Sequence, residues 1–281
     1  MPLVCQSTAD SPVDFRSPAL VVGHPGHELR VFGWMNEHKP RVYVITDGSG
    51  RNGFSRTSST AALLALVGAQ RGDIFGDMSD AEIYRAMLEQ NVAVFLPVVD
   101  ALAGSFLKHQ IYCVVGDAAE GFNPTHDLCR GLINSAVVLA ERTTGKAIAN
   151  FEICLTEWEQ NCAGSLHDDR CLHWTLNDHQ LAQKIAAAEQ YVELKDEVQN
   201  AISRRGQAYF SIECLRPTIA ADLPTFSGNK PAYEIWGEQR VAEGHYQTVI
   251  RFKQHVLPIM QAILDYAGRS TLDPSLTGAK P

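Results

Sequence analysis

The sequence predicts an α/β protein: a doubly wound, mostly parallel Rossmann-like sheet with helices on both faces and a C-terminal helical elaboration. Three observations predict it. Apolar, β-branched runs end in glycine-bearing polar loops at Pro18–His24, Arg41–Gly50 and Ile111–Asp127. Segments with helical spacing of apolar residues alternate with those runs. The runs are continuously apolar rather than alternating, which marks strands buried on both faces, as parallel strands are.

The elements follow in chain order. Residues 1–17 are polar and carry Pro and Ser, so they read as a loose lead-in. PALVVGH (18–24) is a central strand. ELRVFGWMNEH (28–38) places Leu29, Phe32 and Met35 at helical spacing. RVYVITDGSG (41–50) is a second strand with a Gly-rich loop. SSTAALLALVGA (58–69) is a helix with Ser/Thr capping chemistry before it. The first seventy residues therefore read β-α-β-α. A longer helical segment over about 80–109 is expected to break or kink near Pro97. IYCVVGDAAEGFNPTHD (111–127) is a third strand and its loop. DLCRGLINSAVVLAERTTG (127–145) is a helix ending at Gly145, and AIANFEICL (147–155) is a fourth strand.

The character changes after about residue 156. EWEQNCAGSLHDDRCLHW (157–174) reads as polar and irregular. HQLAQKIAAAEQYVELKDEVQNAISRRG (179–206) reads as one long amphipathic helix, with Lys184, Glu193 and Lys195 on a solvated face. AYFSIECLRP (208–217) is a short strand. GHYQTVIRFKQHVLPIMQAIL (244–264) is a final helix, and 268–281 is expected to be a disordered tail. The expected organisation is a single domain over 18–267, with a C-terminal elaboration from about 156.

Bulk properties exclude several classes of function. The 281 residues are 45% hydrophobic and 20% charged, ordinary for a globular protein. A net charge of −8 with no Lys/Arg run argues against nucleic acid or an anionic membrane as a partner. The most apolar window, VAVFLPVVDALAGSFL, is interrupted by Pro97 and Asp100 and is too short to span a bilayer. The first residues lack the basic start and apolar core of a secretory signal. Seven scattered cysteines are then expected to be reduced thiols in a cytoplasmic protein.

Chemistry concentrates in three loops: GHPGHE (23–28), TDGSGRNGFSR (46–56) and GDAAEGFNPTHD (116–127). In an open parallel sheet, loops after the strands emerge on one edge. They bring His24, His27, Asp47, Arg56, Asp117, Glu120, Asn123 and His126 toward one crevice. Neutral imidazoles from His24, His27 and His126, with an open fourth position, suit catalytic zinc. Asp47 or Asp117 reads as a general base or as a carboxylate that orients a histidine. Asp47 reads equally as the turn residue of an Asp-Gly pair. Arg56, Glu120 and Asn123 are candidate substrate contacts. GSGRNG lacks both the G-x-G-x-x-G spacing and a phosphate-binding Lys, which weakens a nucleotide reading. A rival zinc set, Cys162, His167, Cys171 and His173, fits no standard ligand spacing. YEIWGEQRVAEGHY (233–246) reads either as a lid over the crevice or as simple packing.

GHPGHE and NPTH (123–126) together resemble the PIG-L/LmbE-type N-acetylglucosaminyl deacetylases. That family carries A-H-P-D-D-E at the end of its first strand and H-P-D-H later. His24, Pro25 and Glu28 match the first motif, and His126 matches the final histidine of the second. The resemblance extends over about 18–216, through the TDGSG loop, Arg56, Lys184, Tyr191 and the strand with Glu213. It implies a hydrolase that removes an acyl group from an N-acylated amino sugar or glycoconjugate. It implies Zn2+, or another divalent transition metal, held by His24, His27 and His126. A small-molecule or glycan substrate is the expected partner, and homo-oligomerisation stays open. Four positions depart from the pattern. Gly26 stands where the family has its general-base Asp, His27 where it has a ligand Asp, Asn123 where the later motif has its first His, and Thr125 where that motif has its Asp. The alternative is a catalytically altered or inactive member that binds a sugar or a protein.

Overall fold

The computed structural model describes residues 13–50, 53–155, 171–226 and 230–272. Seven strands form one mixed sheet in the order β3-β2-β1-β4-β5-β7-β6. They are β1 (Pro18–Val22), β2 (Arg41–Thr46), β3 (Gln70–Met78), β4 (Cys113–Asp117), β5 (Ala149–Ile153), β6 (Leu172–Thr175) and β7 (Ile212–Pro217). The first five run parallel. β7 lies antiparallel to β5, and β6 antiparallel to β7. The helices are α1 (Phe32–His38), α2 (Thr57–Val67), α3 (Asp80–Leu88), α4 (Leu96–Lys108), α5 (Pro124–Thr144), α6 (Asp178–Glu189), α7 (Lys195–Arg205), α8 (Ala232–Ala242) and α9 (Leu257–Arg269).

Strand periodicity divides the core into two layers. Ala19 and Val21 of β1, with Tyr43 and Ile45 of β2, face a cluster containing Leu102 of α4, Ile133 of α5 and Ile263 of α9. Leu20, Val22, Val42 and Val44 face the opposite cluster with Met35 of α1, Leu64 of α2 and Ala187 of α6. Every residue of β1 is buried, so the strand must be apolar on both faces, as its sequence is.

The structure corrects several sequence expectations. β3 was not expected, because QRGDIFGDM shows neither a continuous apolar run nor a strict alternation, and four of its nine residues are exposed. It forms an edge strand, and two register shifts against β2 allow that irregular pattern. β6 is a second unforeseen edge strand, inside the segment read as irregular. The helical segment over 80–109 is two helices, α3 and α4, and the break between Leu88 and Leu96 falls just before Pro97 rather than at it. Pro97 sits in the first turn of α4, where its missing N–H costs nothing. Arg56, at the N-cap of α2, makes no side-chain capping bond. The long amphipathic helix is two helices, α6 and α7, separated by a 3-10 turn at Val192–Leu194. Lys184 is buried rather than solvated, at 6% exposure. The last helical stretch begins only at Phe252, with a π-helical turn over Phe252–Val256 that leads into α9. α9 continues to Arg269, two residues into the segment expected to be disordered. Residues 1–12, most of the 268–281 tail, and Cys162 and His167 of the rival zinc set lie outside the described residues.

Candidate metal centre

The loop after β1 carries the first two histidines. The amide of Gly23 donates to Asp117 Oδ2 at 2.7 Å, which ties the end of β1 to the end of β4. A Cβ at Gly23 would stand 3.1 Å from that same oxygen, so only glycine leaves the approach free. His24 and Pro25 lead into Gly26, whose φ of 106° is left-handed. A side chain there would also overlap Leu194, the residue that closes the turn between α6 and α7. Glu28 then fixes the loop from below. Its Oε2 accepts from the Gly26 amide at 2.7 Å, and its Oε1 accepts from the Thr60 hydroxyl of α2 at 2.7 Å. Tyr191 lies 2.8 Å from the same hydroxyl.

The third histidine stands in the first turn of α5. Asn123 caps that helix, accepting from the Thr125 amide at 2.8 Å, with Pro124 at its start. His126 therefore points from a fixed helix end toward the β1 loop. Its ring centroid lies 5.1 Å from that of His24 and 4.5 Å from that of His27. One nitrogen from each of the three rings falls within 4.8 Å of the others. That spacing lets one nitrogen from each ring be offered to a single metal ion.

Two carboxylates stand behind the rings. Asp117 Oδ2 lies 2.7 Å from His27 Nδ1, and Asp80 Oδ1 lies 3.1 Å from His24 Nε2. The Asp117–His27 contact is a hydrogen bond that occupies one ring nitrogen, as the carboxylate partner of a metal-binding histidine does, whereas the Asp80–His24 contact is an ion pair without hydrogen-bond geometry. Nδ1 of His126 is buried with no hydrogen-bond partner. Burial lowers the pKa of His24, and it drives that of His126 well below 6.5, aided by repulsion from the other two rings. Both effects favour the neutral imidazole, the form that ligates metal. At Asp80, burial works upward. The contacts with His24, Thr46 and the Gly50 amide outweigh it and hold the pKa down at about 2. The donor set, its burial and its unpartnered nitrogen fit a nitrogen-ligated metal such as zinc.

The other residues singled out from the sequence have local partners. Asp47 accepts from the Ser49 amide at 2.9 Å, inside its own turn. Arg56 Nε donates to the Gly48 carbonyl at 2.6 Å, bracing the same loop. Glu120 Oε2 accepts from the Leu155 amide at 2.8 Å. Asn123 serves as the cap of α5, and its Nδ2 lies 3.5 Å from the Tyr84 hydroxyl. Of the carboxylates named as base or orienting group, Asp117 touches a histidine of the cluster.

Sequence reading passed over Asp80, Arg130 and the use of Glu28. Arg130 of α5 is buried and donates to the Asp117 carbonyl, to Asn150 Oδ1 and to the Phe151 carbonyl, which fixes the end of β4 against β5. Asp80 had one signal in the chain: it follows Ser79, whose capping box with Glu82 marks a loop–helix junction.

The molecule is thus an α/β protein with a three-histidine cluster, two of its rings buried and that of His27 partly so, at the carboxyl ends of β1 and β4. No family model and no curated protein matches the sequence. Three solved structures are similar in shape. The zinc-inhibited form of teicoplanin deacetylase Orf2 superposes with a TM-score of 0.46 at 11% identity, over 72% of this chain and 99% of that one. A deacetylase–bog complex from teicoplanin biosynthesis gives 0.46 at 12% identity, over 72% and 99%. A triple mutant of the deacetylase Orf2 gives 0.44 at 11% identity, over 72% and 98%.

Proposed function

We propose that the chain is a zinc-dependent amide hydrolase of the deacetylase type, acting on an N-acylated amino sugar or a glycoconjugate that carries one. The observation that carries this reading is the convergence of His24, His27 and His126 on one point, with His126 Nδ1 unpartnered, in the GHPGHE and NPTH loops. The three imidazoles would hold the metal. When bound, it supplies a Lewis acid for the amide carbonyl and lowers the pKa of a coordinated water. Asp117 and Asp80 fix the rings of His27 and His24. Asp117 is the favoured replacement for the missing general base, because it already touches the cluster, while Asp47 accepts from its own turn. Asp47 remains the second candidate. Arg56, Glu120 and Asn123 are kept as substrate contacts at the rim of the crevice.

One observation favours a second reading, that of a binder without turnover. The place where a side chain at Gly26 would stand is taken by Leu194. The chain therefore lacks a base at that position, and a side chain there would have to displace a terminal methyl of Leu194. Amine release from a panel of N-acetylated amino sugars, measured with zinc-loaded protein, separates the two readings. Turnover that disappears in Asp117→Asn supports the hydrolase. Zinc binding without release of amine from any member of the panel supports the binder.

A further inference from the structure

A cleft of about 570 Å³ lies next to the start of α5, with none of the three histidines in its lining. One wall is Phe122–Pro124, the segment just before His126. The Phe122 ring lies 6.3 Å from the His126 ring. The facing wall is α8 and the chain that follows it, from Tyr233 to Ile250. These residues lie beyond about 216, where the resemblance to the deacetylases ends. Trp236 of α8 meets Phe122 edge to face, with centroids 4.9 Å apart at 87°.

The cleft's composition is unusual for this molecule. Three of the four exposed large aromatic side chains among the described residues, Phe122, Trp236 and Tyr246 at 41%, 46% and 45% exposure, line this cleft; the fourth, Phe54, lies outside it. Asn123, Gln239 and Arg240 stand among them. The volume lies within the range of small-ligand sites, and the mixture of apolar walls with a few polar groups is what such sites share.

We propose that this cleft is a second sugar subsite, which receives the ring next to the acylated unit of a di- or oligosaccharide. A pyranose has an apolar C–H face that suits an exposed indole, and hydroxyls at its edge that suit amide and guanidinium groups. An acyl chain fits less well, because it would cover Gln239 and the Arg240–Glu243 ion pair without offering them a hydrogen bond. The assignment of the outer position rests on the hydrolase reading, which puts the acylated unit at the histidines. Binding of a sugar in the cleft does not depend on that reading.

The test is calorimetric titration of the full chain with N,N′-diacetylchitobiose and with N-acetylglucosamine. The disaccharide is expected to bind roughly tenfold more tightly than the monosaccharide, and Trp236→Ala is expected to remove that advantage. Trp236 is half-exposed, so its loss leaves the core intact, and circular dichroism checks this. Trp236→Tyr should restore most of the preference. The loss on Trp236→Ala should recur in a His24→Ala/His126→Ala background, which separates the cleft from the metal. Equal affinity for the two sugars, or a preference that survives Trp236→Ala, overturns the proposal. So does displacement of chitobiose by decanoate together with tighter binding of the fatty acid, which would make the cleft an acyl site. Amine release without a disaccharide preference removes the subsite alone. Chitobiose binding through Trp236 without zinc or turnover removes the hydrolase alone.

Discussion

Two polar clusters, one at the start of α1 and one at the carboxyl ends of β1 and β4, differ in completeness. At one, Glu213 Oε1 accepts from Lys184 Nζ at 2.8 Å and from the Gly33 amide at 2.8 Å. Its Oε2 accepts from the Trp34 amide at 2.9 Å, and Lys184 also donates to the Arg30 carbonyl at 3.2 Å. Both oxygens and the ammonium have partners within the protein. At the other, His126 Nδ1 and Asp117 Oδ1 are buried with no hydrogen-bond partner. Buried polar groups in folded proteins are almost always satisfied. The first cluster is finished by the fold itself and ties β7 and α6 to the start of α1. The second leaves those atoms without a partner inside the protein.

The largest effect should come from breaking the finished cluster. Lys184→Ala leaves Glu213 as an uncompensated buried charge and should destabilise the chain by about 3–5 kcal/mol, read from urea unfolding. The same measurement on metal-free His126→Ala should show a much smaller loss, because that ring has no hydrogen bond to lose at Nδ1. Comparable losses would erase the distinction between the two clusters.

Next in size are changes behind the histidines. Asp117→Asn and Asp80→Asn should each weaken zinc binding about 10–100-fold in a competition titration, because each frees a ring to rotate. Zinc affinity unchanged in both would mean that these carboxylates do not orient ligands.

Gly26→Ala should cost roughly 1–3 kcal/mol, since it combines a left-handed backbone with an overlap against Leu194. Adding Leu194→Ala should return the steric part of that loss and leave the backbone part. Full tolerance of Gly26→Ala would show that the loop is not held as described.

The smallest effect is the pH dependence of metal-free stability. Burial lowers the pKa of His24 and His126 below their ordinary 6.5. The folded state therefore binds fewer protons than the unfolded one between the two values. This contribution to stability is fully present above pH 6.5, declines as pH falls below it, and levels off once pH passes the folded-state values. Replacing both histidines should flatten that limb of the curve, and an unchanged limb would assign it to other groups.

The central sheet was legible because β1, β2, β4 and β5 are buried almost throughout, which leaves a run of apolar residues in the sequence. β3 and β6 were not, because an edge strand is shaped by its neighbour and by solvent more than by its own composition. That miss carried over to the site. Asp80 enters the cluster from the end of β3, so without the strand nothing placed it near His24. Lys184 was misread for a related reason: a charge on a helix face looks solvated until its partner is known, and Glu213 lies 29 residues further on. The convergence of His24, His27 and His126 was legible, since all three follow strands that the sequence does show. Leu194 in the space beside Gly26 was not legible, because it is a contact across the fold between residues that no local pattern connects.

The most direct test of the account is zinc stoichiometry by metal analysis and calorimetry, comparing the unaltered chain with His24→Ala/His126→Ala. One zinc per chain, bound tightly by the former and absent from the latter, is the predicted result. A chain that takes up no zinc, or a double variant that retains it, would contradict the claim that the open cluster is a metal centre.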